Sequence, residues 1–203
     1  MRQLIIAAAL VAMSCSVARA GVPGNCAQLQ DAQLAISSCR EFLDSHPESD
    51  SDRAVAYFYR GTAYSMTNQL DEAIEDLGRS IEADPAWPLA YNNRARAWVS
   101  KGEPAKAIAD YDILIKLNPG NPVGYVNRAL AYVKLKDFDH ALADLQKADE
   151  LKPNNAFTIY NIGEAYEGKG DLARAEAEYR KATALAPRNQ IIINALKRIG
   201  ATP

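Results

Sequence analysis

Four prolines, Pro85, Pro119, Pro153 and Pro187, stand 34 residues apart, and the residues between them keep the same register. Twelve positions before each proline lies an alanine: Ala73, Ala107, Ala141 and Ala175. Twenty-one before lies a large aromatic (Tyr64, Trp98, Tyr132, Tyr166), and twenty-four before a tiny residue (Gly61, Ala95, Ala129, Gly163). Proline makes up about 5% of an average chain, so three further prolines on one register would arise by chance on the order of once in ten thousand. A period of this length marks a supersecondary unit that cannot bury its apolar face alone, so the units must stack into a solenoid. Such arrays work by offering a surface.

Each unit reads as two amphipathic helices. In the second unit they are predicted over 89–101 and 105–117, with Gly102 ending the first and Pro119 stopping the second. Pro88 and Pro122 fall near the first position of the next helix, where a missing N–H costs little. The small residues and the alanines let paired helices approach closely. Tyr64, Trp98, Tyr132 and Tyr166 are expected to fill the space between units, facing Leu77, Tyr111, Leu145 and Tyr179. A stripe at such regular spacing is core.

These columns resemble the tetratricopeptide repeat: a small residue at the eighth position, an aromatic at the eleventh, alanine at the twentieth and proline near the thirty-second. Four units run 54–87, 88–121, 122–155 and 156–189; Tyr57, Tyr91, Tyr125 and Ile159 replace the usual tryptophan at the fourth position. The resemblance implies an all-α fold, a right-handed superhelix of helix pairs (an α-α solenoid). Residues 21–53 read as a partial leading repeat, in which Ala35, Ile36, Cys39, Phe42 and Pro47 match the second half of a unit. A polar insertion over 48–52 follows it. Residues 190–203 read as a capping segment, with Ile193 and Leu196 facing the last unit and Lys197 and Arg198 facing water.

The first 20 residues carry a different signal: Arg2, an apolar run over 4–13, and Ala18-Arg19-Ala20 before Gly21. Ten apolar residues are too few to span a bilayer, so a cleaved secretory signal is expected. A lipid-modified Cys15 is the weaker alternative, since Ala12 stands where such sites favour leucine. Without the leader, 183 of the 203 residues remain, with 21 basic against 25 acidic side chains. That mild negative balance, without a basic run, argues against nucleic acid and against anionic membrane surfaces.

Cys26 and Cys39 are then bound for an oxidising compartment, where thiols tend to pair. A single unbroken helix would hold them about 20 Å apart, beyond disulfide reach. A bridge therefore requires Cys26 to fold back along a helix that carries Cys39, with Asp31 as its N-cap. Two unpaired thiols in an apolar cluster are the alternative. An N-terminal cysteine pair ahead of such units resembles small exported bacterial tetratricopeptide proteins, which implies a periplasmic or secreted setting.

In this family the first helix of each unit lines a concave groove. On that basis the groove is expected to hold Phe58, Tyr59, Thr62, Asn92, Asn93, Arg96, Val126, Asn127, Leu130, Tyr160, Asn161 and Glu164. Asn93, Asn127 and Asn161 recur at one position, and each amide can both donate to and accept from an extended peptide backbone. Asparagine tolerated on a solvated face is the alternative. Phe58, Val123 and Asn127 stand where the family's carboxylate clamp needs lysine or arginine, so that clamp is not expected.

A second column pairs Arg60, Arg94 and Arg128 with Asp76, Asp110 and Asp144, sixteen residues on; where Ile162 replaces the arginine, Glu178 replaces the aspartate. Helix-to-helix ion pairs are expected, with an anion-binding arginine ladder as the alternative. No catalytic constellation, metal site or cofactor motif emerges. His46 and His140 lie in unrelated turns, and Asp71, Glu72, Asp137 and Asp139 read as solvated charges at helix starts. The expected function is a non-catalytic scaffold that holds a protein or peptide segment in its groove, with no membrane insertion after signal cleavage. The alternative is an assembly subunit of an envelope complex that uses its convex face or its C-terminal helix.

Overall fold

The computed structural model of the protein describes residues 21–202. The expected signal sequence over 1–20, with Cys15, lies outside the described residues, as does Pro203. Among the described residues the structure is all helical, in ten helices: α1 (Ala32–Asp44), α2 (Asp50–Met66), α3 (Leu70–Ala83), α4 (Pro88–Lys101), α5 (Pro104–Leu117), α6 (Pro122–Lys134), α7 (Phe138–Leu151), α8 (Ala156–Gly168), α9 (Leu172–Leu185) and α10 (Gln190–Arg198).

Local chemistry repeats with the chain. Pro88, Pro104 and Pro122 each occupy the first turn of a helix. Asn121, Asn155 and Asn189 cap α6, α8 and α10, their side chains accepting from the N–H groups of Val123, Phe157 and Ile191 at 3.0 Å. Between the two helices of each unit the chain turns through a left-handed residue, in succession Asn68, Gly102, Lys136 and Gly170. Only two of these are glycine, so Asn68 and Lys136 hold a conformation that disfavours side chains. The polar insertion before the first full unit is not a loop. Ser49 caps α2, and 50–53 become an added first turn, making α2 17 residues long against 14 for α4.

Close approach sets the pairing of helices. A Cβ on Gly61 would lie 2.9 Å from Leu77, and one on Gly163 would lie 2.5 Å from the ring of Tyr179. Ala73, Ala107, Ala141 and Ala175 are fully buried, as are Leu77, Leu145 and Tyr179. The aromatic column differs from expectation. Tyr64, Trp98, Tyr132 and Tyr166 are only half-buried. In the last three units a basic or imidazole side chain of the same unit covers the ring: Lys106 at 4.4 Å from Trp98, His140 stacked at 5.1 Å on Tyr132, and Arg174 at 4.6 Å from Tyr166. These rings close the turn within a unit, because a cation placed over an aromatic face is attracted to it while both keep contact with water. His140 lies in the first turn of α7, not in a loop, with its Nδ1 2.7 Å from Asp137 Oδ2.

In the first three units a fork of charge lies one residue from the close approach. Arg60 Nε and Nη2 donate to Asp76 at 2.6 and 2.8 Å, Arg94 to Asp110 at 2.9 and 2.6 Å, and Arg128 to Asp144 at 2.8 and 2.7 Å. All three aspartates are buried. A tyrosine three residues earlier lies under each guanidinium, Tyr57, Tyr91 and Tyr125, at 5.6 to 6.0 Å. Burial is the largest single effect on Arg60 and opposes its charge, but the hydrogen bonds to Asp76 and the nearby negative charge together outweigh it; for Arg94 the hydrogen bonds to Asp110 are the largest effect, and both guanidinium groups are raised. In the fourth unit the whole set changes together: Ile159 and Ile162 are buried, and Glu178 accepts instead from Lys181 on its own helix at 2.7 Å. Arg128 also reaches back to Asp112 on α5, so it ties two units. Asp71 and Asp139 are exposed yet paired, each with a lysine of the following unit, Lys101 and Lys169.

The ends are closed differently. Residues 21–31 form turns, and Cys26 is bonded to Cys39 of α1 with both sulfurs buried against Ala56. The folded-back segment stands where a unit would have its first helix. At the other end α10 buries Ile192, Ala195 and Leu196. The inward residue is Ile192 rather than Ile193, because the Asn189 cap starts the helix at Gln190 and places 192, 195 and 196 on one face. Arg198, expected to face water, is half exposed but returns to α8, donating to Glu167 at 2.7 Å and also bonding Glu164.

Two outcomes follow. Asp110→Ala strands a largely shielded guanidinium and should cost about 2–4 kcal/mol in urea unfolding. Arg94→Ile with Asp110→Leu, which takes the isoleucine of the fourth unit and removes the carboxylate as well, should cost well under half of that. Equal losses for the two variants would contradict the pairing. The hydrogen bond from Arg198 holds Glu167 below its usual carboxylate range. The stabilisation is therefore complete above about pH 4.3 and is lost as pH falls through the depressed value. The difference in Tm between wild type and Arg198→Gln should be constant near neutrality and shrink toward pH 3.

Candidate functional site

Successive first helices touch one another, α2 with α4, α4 with α6 and α6 with α8, whereas no comparable set of contacts joins α3, α5, α7 and α9. The array therefore curves with α2, α4, α6 and α8 on its inner side. The groove residues expected from sequence all belong to these four helices, but they do not all face open space.

Phe58, Val126 and Asn161 are only 8%, 8% and 5% exposed. Phe58 packs its ring 4.4 Å from Trp87, and Val126 sits in the core formed with Leu142 and Leu145. Asn161 donates its Nδ2 to the carbonyl of Phe157 at 2.6 Å, one turn back on its own helix. These three support the groove from beneath. Tyr59 is half-buried, with its ring edge-on to Phe58 and packed against the disulfide cluster.

The other asparagines form a chain of amides between units. Asn93 Nδ2 donates to Thr62 Oγ1 at 3.0 Å, Asn92 Nδ2 to Asn93 Oδ1 at 3.3 Å, and Asn127 Nδ2 to Asn92 Oδ1 at 2.8 Å. This chain links α2, α4 and α6. Each amide nitrogen keeps one further N–H, and Asn127 Oδ1 accepts from no described residue, so part of their hydrogen-bonding capacity still faces the groove. At the fourth unit, Tyr160 lies 5.6 Å from Tyr179, and burial pushes its hydroxyl up to about 12. Glu164 is held by Arg198 and by the Tyr179 hydroxyl, which donates at 2.9 Å. That end of the groove is closed by its own charges.

One column had not stood out in the sequence. Leu89, Val123, Phe157 and Ile191, spaced by 34, are 55%, 49%, 55% and 58% exposed. The signal was present in the repeat itself: a large apolar side chain at the second position, where the packing columns do not need one. Val123 and Phe157, with Val126 and Asn127 between them, line a cavity of about 270 Å³ at the start of α6 and α8. A larger one, about 500 Å³, lies between α2, α4 and the segment before α1; Leu29, Thr62, Met66, Asn93, Arg96 and Ala97 are among its walls. Leu130 is half-buried against the core that holds Val126.

Among the described residues no group of three or more His, Cys, Asp or Glu side chains is arranged to hold a metal ion. No helix among them is long and apolar enough to cross a membrane.

Comparison with known proteins agrees with this architecture. Profiles of the tetratricopeptide repeat match residues 60–122, 124–155 and 156–189. A crystal structure of MamA is 25% identical, with a TM-score of 0.71 over 80% of this chain and 92% of that one. YrrB, described as a tetratricopeptide protein with an unusual peptide-binding site, is 20% identical with a TM-score of 0.71 over 83% of this chain and 85% of its own. The first repeat domain of Spaghetti (RPAP3), solved with the HSP90 peptide SRMEEVD, is 27% identical with a TM-score of 0.56 over 59% of this chain and 95% of its own. No curated protein sequence matches the chain significantly. With three matched stretches spanning most of its length and an all-helical array of paired helices, the chain belongs to the tetratricopeptide repeat family.

Proposed function

We propose that the protein is a non-catalytic scaffold of the cell envelope that holds an extended protein or peptide segment along its inner face. The observation that carries this reading is the division of labour between columns. The paired arginines and aspartates and most aromatics are consumed in packing, while Leu89, Val123 and Phe157 of the last three units and Ile191 of α10 stand half exposed in one column. A recurring exposed apolar side chain, beside amides with spare donors, suits a segment that presents alternate side chains and backbone groups. A relative 27% identical to this chain holds a peptide, which supports the same use. The formal net charge of −2 favours protein over nucleic acid as partner.

Export rests on the leader over 1–20 and on the bonded pair Cys26 and Cys39, since structural disulfides persist in oxidising compartments. The periplasm or the exterior is the expected location. Protein isolated from the envelope should begin at Gly21; recovery with Met1 intact would remove the leader reading.

A photocrosslinking residue placed at Val123 or Phe157 in living cells should trap a partner chain, while one at Lys147 on the outer side should not. Val123→Ser with Phe157→Ser and Asn127→Ala should reduce trapping from a probe at Leu89 about tenfold, with helicity unchanged. Trapping confined to Lys147 or to α10 would instead favour the assembly-subunit reading.

A further inference from the structure

We infer that the cavity at the N-terminal end of the inner face is a specificity pocket for an acidic partner segment. It would take one apolar side chain of that segment while an aspartate or glutamate within two residues lies on Arg96. The inference rests on the groove reading above and names the chemistry of its first station.

The cavity measures about 500 Å³, within the range of sites that enclose side chains and small ligands. Its apolar walls come from three separate places: Leu29 before α1, Met66 and Leu70 around the first turn between helices, and Ala97 on α4. Met66 is 57% exposed, and its thioether can adjust to varied shapes. Asn93, Arg96, Ala97 and Ser100 share one face of α4 at helical spacing, so the guanidinium stands beside the apolar floor.

Arg96 is exposed and makes no hydrogen bond or ion pair with any described residue. Two residues away, Arg94 is gripped by the buried Asp110. None of the residues around the cavity is acidic. An unpaired guanidinium beside an apolar hollow favours a carboxylate, which it can meet with two parallel N–H bonds. Ser65 lines the same cavity, and its Oγ is shielded from water without a hydrogen-bond partner. A polar group arriving with the ligand would satisfy it.

The pocket occurs once in the array. At the position of Arg96 the other units carry Thr62, Leu130 and Glu164, and Leu29 belongs to the segment pinned by Cys26 and Cys39, which no repeat possesses. The carboxylate is assigned to a side chain and not to a chain end. The inner face continues from Arg96 through Asn92 and Asn127 to the second cavity, so a segment seated here passes through.

The test uses the purified full chain and an array of C-terminally amidated nonapeptides on a glycine-serine frame. Each peptide carries Leu, Phe or Ser at its centre and Asp, Gln or Lys one or two places to either side. Peptides with Leu or Phe beside Asp should bind on the order of tenfold tighter than their Gln counterparts, and the Lys series should be weakest. Arg96→Met should reduce the Asp preference to less than twofold while retaining the preference for Leu over Ser. Met66→Ser should do the reverse. Both residues are exposed, and circular dichroism checks that each variant folds. Binding without an acidic preference, or a preference unchanged by Arg96→Met, overturns the pocket but leaves the groove standing if Val123→Ser with Phe157→Ser still weakens it. Binding that needs a free C-terminus, seen only when amidation is omitted, also overturns it. Retention of no peptide at all would sink the pocket and the groove reading together.

Discussion

The structure depends on how closely two helices of one unit can approach at a single residue. Where Gly61 meets Leu77 and Gly163 meets Tyr179, no space exists for another carbon. That contact sets the register of the pair, and register decides everything one residue away. Arg60 precedes Gly61 and Asp76 precedes Leu77, so the packed contact delivers the guanidinium to the carboxylate with both hydrogen bonds formed. The fork has little freedom left to lose when it forms, which favours a bidentate pair over a mobile surface one. The fourth unit shows that the charge is not obligatory. With Ile159 and Ile162 in place of tyrosine and arginine, the same crossing is held by apolar contact, and the aspartate gives way to Glu178, which pairs with Lys181 of its own helix.

Polar groups at the second level then determine what the inner face can offer. Had the arginines faced the groove, the array would read as an anion-binding ladder, but Asp76, Asp110 and Asp144 hold them inside the helix pairs. The asparagines are drawn partly into the chain as well, joining α2, α4 and α6 through Thr62, Asn93, Asn92 and Asn127. A cross-unit amide chain costs little at a half-exposed site and fixes the pitch at which one unit follows the next. What stays uncommitted along the rim is apolar: Leu89, Val123 and Phe157, continued by Ile191 on α10.

Periodicity made the fold legible because packing demands repeat and loops do not. The helix pairs, the proline starts at 88 and 122, the N-cap at Asp31 and the small eighth residues could all be read before any coordinate. The misreadings have physical causes. Asn161 shares a column with Asn93 and Asn127, yet it is buried and its amide returns to the Phe157 carbonyl of its own helix. Phe58 belongs by position to the groove, but Trp87 replaces the asparagine that caps later units and lays its ring over it. Helical phase misplaced Ile192 by one residue, since the cap at Asn189 resets the count. The walls formed by Leu29 and the return of Arg198 to Glu164 and Glu167 could not be read from any column, because each joins a repeat to a non-repeating end.

Those two ends give the groove a direction. At the C-terminal end two carboxylates are already met by Arg198 and the Tyr179 hydroxyl, so an incoming cation gains little and an incoming anion meets residual negative charge. At the N-terminal end Arg96 lacks an ion-pair partner beside an apolar hollow. The asymmetry lies in Arg96, which faces the cavity walled in part by the disulfide-held segment, and in α10, whose Arg198 folds back onto Glu164 and Glu167. On the groove reading proposed above, a segment along the inner face would lie with its acidic part toward Arg96 and its neutral part toward α10.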